Sequence, residues 1–159
     1  MKQNSIIIDY IEYESLDSMP ADDVALIEKA VEIAQKSYSP YSKFPVGAAV
    51  RLDNGEIYAG NNQENVAYPS GTCAERTVLN YVNANFPDNN IEAIAITSLK
   101  SNSSIPITPC GFCRQVIMEM EYSQHQNIRI ILHKIGGPTY VFHSAPALLP
   151  LAFIGEMLQ

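Results

Sequence analysis

The 159-residue chain has no tryptophan, little cysteine and few basic side chains. Ten Lys plus Arg stand against seventeen Asp plus Glu, which gives a net charge of -7 at pH 7. That balance offers no basic surface for holding a nucleic-acid polymer. The three cysteines are an odd number and cannot form a full disulfide framework. These shortages argue against a polynucleotide-binding protein and against a disulfide scaffold.

Long apolar runs are also missing. Residues 6–8 are too short an apolar run for a signal peptide, and prolines interrupt the longest apolar stretch, residues 145–154. We therefore expect a soluble, cytoplasmic protein with reduced thiols. The chain has an ordinary globular composition, 47% hydrophobic and 17% charged, and a length suited to one domain.

Hydrophobic periodicity and turn residues predict helices that alternate with strands. The predicted helices span about residues 20–38, 72–85 and 110–121, with a helical tail over 148–158; the predicted strands span residues 46–52, 56–59, 91–98, 128–132 and 139–142. This alternation predicts a layered α/β domain with a largely parallel inner sheet. Residues 1–17 fit either a short strand or an added arm.

The three cysteines cluster around two predicted helix starts. Cys110 and Cys113 are three residues apart on one helix face, and Cys73 lies thirty-seven positions before Cys110, at the start of the preceding helix. Helix amino termini favour thiolates, and zinc binds thiolates. A redox dithiol and buried core cysteines are the competing interpretations.

A structural zinc site would need a fourth ligand. The candidates are His125, His133 and His143, and none lies at a short zinc-ligand spacing from Cys113. Three protein ligands plus water is the arrangement of a catalytic zinc. The spacing therefore favours a catalytic site over a structural one.

Glu75 has two competing interpretations. Thr72 and Glu75 form a T-x-x-E pattern, which is typical of a capping box that joins the Glu75 side chain to the Thr72 backbone N–H. Alternatively, Glu75 is a carboxylate that does not bind the metal and moves protons beside it. Because residues two apart do not share a helix face, Cys73 and Glu75 can serve one site only if the metal lies off the helix end.

Several stretches together resemble one known family. They are Y-S-P-Y-S-K-F-P-V-G-A-A-V at 38–50, G-N-N-Q-E-N-V-A-Y at 60–68, T-C-A-E-R-T at 72–77, P-C-G-F-C-R-Q-V at 109–116 and, more weakly, L-L-P-L-A-F at 148–153. This set resembles the small homotetrameric cytidine deaminases. The resemblance implies a three-layer α/β/α fold with a mixed, largely parallel central sheet of about five strands. It would form a single domain over residues 19–159, preceded by an amino-terminal arm over residues 1–18.

The resemblance also implies a reaction. Cys73, Cys110 and Cys113 would bind one Zn²⁺ per subunit, and Glu75 would carry a proton from water to N3 of the pyrimidine and later to the departing amino group. Cytidine and 2'-deoxycytidine would become uridine and 2'-deoxyuridine with release of ammonia, in cytoplasmic pyrimidine salvage.

A set of substrate contacts is implied as well: Phe44, Asn62, Glu64, Tyr68, Ala74 and Phe153. Asn62 and Glu64 would hold the ribose 3'-hydroxyl and Phe44 would pack against the base. Tyr68 and Phe153 would complete the sites of neighbouring subunits in a homotetramer. Without the resemblance, the preferred interpretation is that Phe44 is an ordinary core aromatic and that Asn62 and Glu64 are turn residues that cap a loop.

Three thiolates on Zn²⁺ leave a net charge of about -1, which weakens the metal as an activator of water. A guanidinium that is hydrogen-bonded to the thiolates would offset this charge. Arg76 is the first candidate for that role and Arg114 is its competitor.

Three other functions remain open. A polynucleotide deaminase would share the zinc chemistry but needs basic and aromatic surfaces. A deaminase of another aminopyrimidine or of a nucleoside analogue is the second, and the ribose-contact pair Asn62 and Glu64 argues only moderately against it. A non-catalytic, zinc-stabilised interaction domain would not need Glu75.

Overall fold

A computed structural model describes residues 1–158. In that part of the chain, six strands and three α-helices form the fold. The strands are β1 (Ile11–Tyr13), β2 (Val46–Leu52), β3 (Ile57–Asn61), β4 (Ile91–Ser98), β5 (Arg129–Lys134) and β6 (Thr139–Phe142); the helices are α1 (Ala21–Ala34), α2 (Ala74–Asn85) and α3 (Gly111–Gln124). Within residues 1–158, no helix is long and apolar enough to cross a membrane.

The strands form one mixed sheet in the order β1-β6-β5-β4-β2-β3. Only β4 and β5, which α3 connects, are parallel; the other four neighbouring pairs are antiparallel. The mixed sheet is confirmed and has six strands where about five were expected, but the largely parallel arrangement is wrong. The apolar sequence of β4 indicates only that helices cover both faces of the strand. It does not indicate whether the neighbouring strands are parallel or antiparallel to it.

The sixth strand comes from the amino-terminal arm. β1 pairs with β6 at the edge of the sheet, and the Tyr10 ring stacks on Phe142 with ring centroids 5.3 Å apart. Three residues are too few to show a strand period, which explains the ambiguity of the sequence pattern here. The division of the chain at residue 18 stays a prediction.

The three-layer architecture is confirmed. α1 packs on one face of the sheet against small side chains such as Ala49 and Ala95, while α2 and α3 pack on the other face against larger ones such as Val50 and Ile94. The small side chains let α1 approach closely. A Cβ atom on Gly47 of β2 would lie only 2.0 Å from the Ala30 carbonyl oxygen of α1.

Helix ends differ from the predicted ones. α1 ends at Ala34 rather than near residue 38, α2 begins two residues after Thr72, and α3 begins after Cys110 and continues to Gln124. Between residues 145 and 158, where the sequence predicted a helical tail, the structure has two short 3-10 segments, Ala145–Ala147 and Gly155–Leu158, and no α-helix. Prolines in this stretch remove backbone N–H donors that a helix would need.

The same end of the sheet carries the starts of α2 and α3. Val46 at the start of β2 pairs with Ser98 at the end of β4, and β4 leads into the loop before α3. The loop before α2 is tied down by backbone bonds between Gln63 and Thr72, whose donor–acceptor distances are 2.8 Å in both directions. This end of the sheet therefore gathers both helix amino termini in one place.

Candidate active site

The three cysteine sulfurs meet between the two helix starts. Cys73 precedes α2 and Cys110 precedes α3 as N-cap residues, while Cys113 is buried in the first turn of α3. Their Sγ atoms all lie within 4.8 Å of one another, and those of Cys110 and Cys113 are 3.5 Å apart. Thiolates at tetrahedral zinc, with Zn–S bonds near 2.3 Å, lie about 3.8 Å apart. The geometry of the sulfurs therefore fits a zinc ion with little adjustment.

The charges of the cluster also fit a cation. A hydrogen bond from Cys113, with a smaller one from Cys110 and the positive charge of Arg76, lowers the pKa of Cys73 to about 6 although burial opposes this. The pKa of Cys113 is raised, first because it shares its proton with Cys73 and then because of its burial and the Glu75 charge. Cys73 thus loses its proton readily, whereas Cys113 keeps its own because it donates that proton to Cys73 and is buried. A metal cation would replace the shared proton.

Histidine takes no part in this cluster. Within residues 1–158, the cysteines alone make up the group that could hold a metal, and His125, His133 and His143 are not in it. The His133 Nδ1 atom lies 2.8 Å from the Thr139 hydroxyl oxygen, and His125 ends α3 at its far terminus. The described residues therefore provide three sulfur ligands, which leaves one tetrahedral position open.

Glu75 lies beside the cluster and is not part of a capping box. The Thr72 backbone N–H donates to the Gln63 carbonyl oxygen, and Cys73 rather than Thr72 is the N-cap. Glu75 is only 4% exposed, and burial, followed by the Cys73 charge, raises the pKa of its carboxyl. A buried carboxyl group with a raised pKa, in the first turn of α2 beside the thiols, is suited to taking up a proton.

A cleft of about 500 Å³ opens onto Glu75 and the thiols. Six of the residues singled out in the sequence line it: Phe44, Asn62, Cys73, Ala74, Glu75 and Cys110. Sequence reasoning missed the rest of the wall, which consists of Val46 and the loop residues Ser103, Ile105, Pro106, Ile107 and Thr108. The only local signal for this wall is Thr108-Pro109 before the Cys-x-x-Cys pair, because a loop without periodicity gives no indication of what it covers.

Asn62 fastens the loop that carries Phe44. Its Oδ1 atom accepts hydrogen bonds from the Ser37 hydroxyl at 2.6 Å and from the Val46 backbone N–H at 2.8 Å, and its Nδ2 atom donates to the Phe44 carbonyl oxygen at 3.0 Å. One N–H of the Asn62 amide remains for another partner. The loop-capping interpretation is thus correct for Asn62, and the residue still lines the cleft.

Glu64 fastens the other end of the same loop. Its carboxylate accepts hydrogen bonds from the backbone N–H groups of Tyr41 at 2.8 Å and Ser42 at 3.2 Å, and a third from the Ser42 hydroxyl. These bonds, led by the one from the Ser42 hydroxyl, lower the pKa of Glu64. Glu64 lines an adjoining groove of about 910 Å³ that also reaches Asn62 and Cys73.

The two outlying aromatics lie apart from the thiols. Tyr68 is 75% exposed and lines the adjoining groove, where its ring meets Tyr41 edge-on at 6.1 Å. Phe153 is 59% exposed and lines neither the cleft nor the groove; its carbonyl oxygen accepts a hydrogen bond from Gln115 at 2.8 Å. In this chain the structure therefore does not bring Phe153 to the cleft.

Arg76 and Arg114 have different surroundings. The Arg76 guanidinium donates to the Gly71 carbonyl oxygen at 3.3 Å, and its buried Nε atom has no hydrogen-bond partner among residues 1–158. Its charge acts on Cys73. Arg114 instead uses all three guanidinium nitrogens on oxygen atoms of other residues. The charge of Arg76 therefore reaches a cysteine of the cluster, whereas the Arg114 guanidinium is engaged by backbone and hydroxyl oxygens.

Residues 20–126 match the family model described as the cytidine and deoxycytidylate deaminase zinc-binding region. Similar curated proteins include the cytidine deaminases of Sporosarcina psychrophila (42% identity over 94 residues, 59% of this chain) and Halalkalibacterium halodurans (36% over 99 residues, 62% of this chain). The aligned stretches span 66% of the first protein, just under two thirds of its length, and 72% of the second.

Solved structures of the same kind are similar over more of the chain. The cytidine deaminase of Burkholderia pseudomallei is 38% identical with a TM-score of 0.73, and the match covers 85% of this chain and 100% of that one. For the cytidine deaminase of Mycobacterium tuberculosis the identity is 31% and the TM-score 0.65, with 85% and 99% covered.

Proposed function

The chain belongs to the cytidine and deoxycytidylate deaminase family, a group of zinc-binding hydrolases, and from this premise we propose that it converts cytidine and 2'-deoxycytidine to uridine and 2'-deoxyuridine with release of ammonia. The observation that carries the proposal is the buried Glu75 carboxyl, which lines one cleft together with Cys73 and Cys110 of the three-sulfur cluster.

Cys73, Cys110 and Cys113 would hold one zinc ion per chain. The spacing of their sulfurs supports this assignment, as does the lowered pKa of Cys73, which favours a thiolate ligand. When bound, zinc polarises a water molecule and makes it a nucleophile near neutral pH. Arg76 offsets part of the thiolate charge from beside Cys73, and so preserves the electron-withdrawing strength of the site.

Glu75 moves the protons of the reaction. Its carboxylate accepts a proton from the attacking water and donates it to N3 of the pyrimidine. It then accepts the remaining proton of that oxygen, which is now bonded to C4, and donates it to the amino group. The C4=O bond of the product forms as the C–N bond breaks and ammonia leaves. Burial raises the pKa of Glu75, so its protonated form is accessible during the cycle. Water is consumed and one C–N bond is exchanged for one C–O bond, so the overall reaction needs no other reactant.

The cleft residues orient the nucleoside. The Phe44 ring packs against the base, and the backbone N–H of Ala74, which as the first residue of α2 has no partner within the helix, donates to the pyrimidine. The remaining Asn62 N–H and the remaining acceptor positions of the Glu64 carboxylate hold the ribose 3'-hydroxyl. Because ribose and 2'-deoxyribose both carry the 3'-hydroxyl, hydrogen bonds to that group account for the acceptance of both sugars.

Tyr68 and Phe153 complete the sites of neighbouring subunits in a homotetramer. Both rings are well exposed in the single chain, which supports a role at contacts between copies. The net charge of -7 disfavours a polynucleotide substrate. The three free thiols fit a reducing compartment, which supports a cytoplasmic role in pyrimidine salvage.

A substrate panel tests the proposal. Cytidine, 2'-deoxycytidine and a cytosine-containing single-stranded oligonucleotide are incubated with the zinc-loaded protein, and ultraviolet absorbance and released ammonia are followed. We expect both nucleosides to be deaminated and the oligonucleotide to be left intact. Faster turnover of the oligonucleotide would replace the proposed substrate class, and turnover of none of the three would refute the enzyme assignment.

A further inference from the structure

Arg114 ties together three segments around the candidate zinc site. We propose that Arg114 is a positioning residue, which fixes the loop carrying Cys110 and the carboxy-terminal tail to α3. This inference rests on the proposed function, because it takes the three-sulfur cluster to hold zinc. It concerns how the ligand Cys110 keeps its place relative to the ligand Cys113.

Each nitrogen of the Arg114 guanidinium has a defined partner. Nε donates to the Pro109 carbonyl oxygen at 2.8 Å, Nη2 to the Thr108 hydroxyl oxygen at 3.2 Å, and Nη1 to the Leu148 carbonyl oxygen at 2.9 Å. The Arg114 backbone N–H also donates to the Cys110 carbonyl oxygen at 2.9 Å. The Arg114 side chain therefore holds the two residues before Cys110 and the tail, while its backbone makes the first regular hydrogen bond of α3.

Cys110 needs such support because it lies outside the regular helix. It is the exposed N-cap of α3, whereas Cys113 is buried within the helix. Without a hold on the preceding peptide, the backbone at Cys110 could turn about its own dihedral angles and carry its sulfur away from that of Cys113. The Arg114 bond to Pro109 removes this freedom, and the bond to Thr108 fixes a residue that lines the cleft.

The tail is attached to α3 at two further points. The buried Glu121 carboxylate accepts a hydrogen bond from the Ala145 backbone N–H at 2.8 Å, and Gln115 donates to the Phe153 carbonyl oxygen at 2.8 Å. Arg114 lies seven residues before Glu121, on the same face of the helix. The Arg114 bond to Leu148 therefore belongs to a longer attachment, and it joins this attachment to the ligand loop.

The role is one of geometry rather than charge. Each of the three partners takes a different nitrogen of the planar guanidinium, whereas a lysine ammonium in its place would offer a single nitrogen. Arg76, by contrast, acts on Cys73 through its charge. Substitution by lysine at position 114 therefore separates a role of charge from a role of position, because lysine keeps the positive charge and lacks the planar guanidinium with its three donor nitrogens.

The test compares the wild-type protein with Arg114→Lys and Arg114→Ala. Zinc release to a chromophoric chelator is timed, the absorption spectrum of the Co²⁺-loaded protein is recorded, and kcat and KM for cytidine are measured. We expect both variants to release zinc roughly 10- to 100-fold faster. Both should show altered thiolate–cobalt bands, and kcat should fall by more than KM changes.

Arg129→Ala is the matched control. Arg129 is also half-buried, but it pairs with the buried Asp23 at 2.7 Å under α1, on the other face of the sheet. Its loss should lower stability and leave zinc release and the cobalt spectrum unchanged. If Arg114→Ala does not fold, Thr108→Val removes one of the three contacts and should still release zinc a few times faster than the wild type.

The outcomes separate the inference from the proposed function. Wild-type release rates and spectra in both Arg114 variants, in a protein that binds zinc and deaminates cytidine, would overturn the inference alone. If Arg114→Ala is altered but Arg114→Lys keeps the wild-type rate of zinc release and the wild-type cobalt spectrum, the charge of Arg114 matters rather than its hydrogen bonds. That result would also overturn the inference. A wild-type protein without zinc or turnover would instead refute the proposed function.

Discussion

Replacement of Glu121 by alanine should destabilise the fold strongly. The carboxylate is 6% exposed, and one of its oxygens accepts hydrogen bonds from two backbone N–H groups, those of Ile128 and Ala145, both at 2.8 Å. Both donor residues are buried. Glu121→Ala leaves both donors without a partner, and each buried unpaired group costs about 1–3 kcal/mol.

The expected loss is therefore about 4 kcal/mol for the two groups together, a large part of the ~5–15 kcal/mol by which a typical domain is stable. For a chain of this size it corresponds to a fall in Tm of roughly 8–16 °C. Glu121→Gln keeps an acceptor oxygen and should lose only about 1 kcal/mol.

Urea unfolding followed by circular dichroism, at one fixed protein concentration, measures the effect. Glu119→Ala is the control, since Glu119 belongs to the same helix and is exposed. The reasoning would be refuted by a free energy of unfolding for Glu121→Ala that lies within about 0.5 kcal/mol of that for Glu119→Ala, which is the range of ordinary surface substitutions.

Three further predictions concern packing, substrate binding and pH. Gly47→Ala would place a Cβ atom 2.0 Å from the Ala30 carbonyl oxygen and should lower the free energy of unfolding by at least about 2 kcal/mol. Gly111→Ala, which has open space around it, is the control and should not lower it. Equal free energies of unfolding for the two variants would contradict the close packing of α1. Glu64→Ala removes charged hydrogen bonds that hold the Phe44 loop, so it should raise KM for cytidine roughly tenfold (about 1.5 kcal/mol). An unchanged KM in steady-state assays would contradict the role of Glu64 in holding this loop. Burial lowers the pKa of His133 from its ordinary 6.5, so the unfolded chain binds more protons than the folded one as the pH falls below 6.5, and the free energy of unfolding should decrease there. Unfolding curves of His133→Gln, recorded at several pH values, should lack this part of the decrease. The same dependence of the free energy of unfolding on pH in both proteins would refute the prediction.

The secondary structure was predictable where the sequence pattern depends on burial alone. β2, β4 and β6 have the predicted bounds, because apolar residues are delimited there by clear turn residues. Strand direction was not predictable, since a strand covered on both faces is apolar in either kind of sheet. The start of α2 was misplaced because the Thr72 N–H donates to the carbonyl oxygen of Gln63. Gln63 lies nine residues earlier in the chain, and only the fold brings the two residues together.

The site divides in the same way. Cys73, Cys110, Cys113 and Glu75 were identifiable because few functions need those residue types at helix starts, and the structure brings them together. The wall formed by the loop before α3 carries no such chemistry and emerges only from its tertiary position. The contacts of Arg114 were equally hidden, because its Leu148 partner is thirty-four residues away.

Zinc content and cytidine turnover, measured together for the wild type and for Glu75→Gln, test the central claim most directly. Glutamine has nearly the same shape as glutamate and cannot take up a proton at this position. We expect about one zinc per chain in both proteins and turnover lower by roughly 10²–10⁴ in the variant, the usual contribution of general acid–base catalysis. Turnover by Glu75→Gln within a few-fold of the wild type, or a wild-type protein that binds no zinc, would contradict the account.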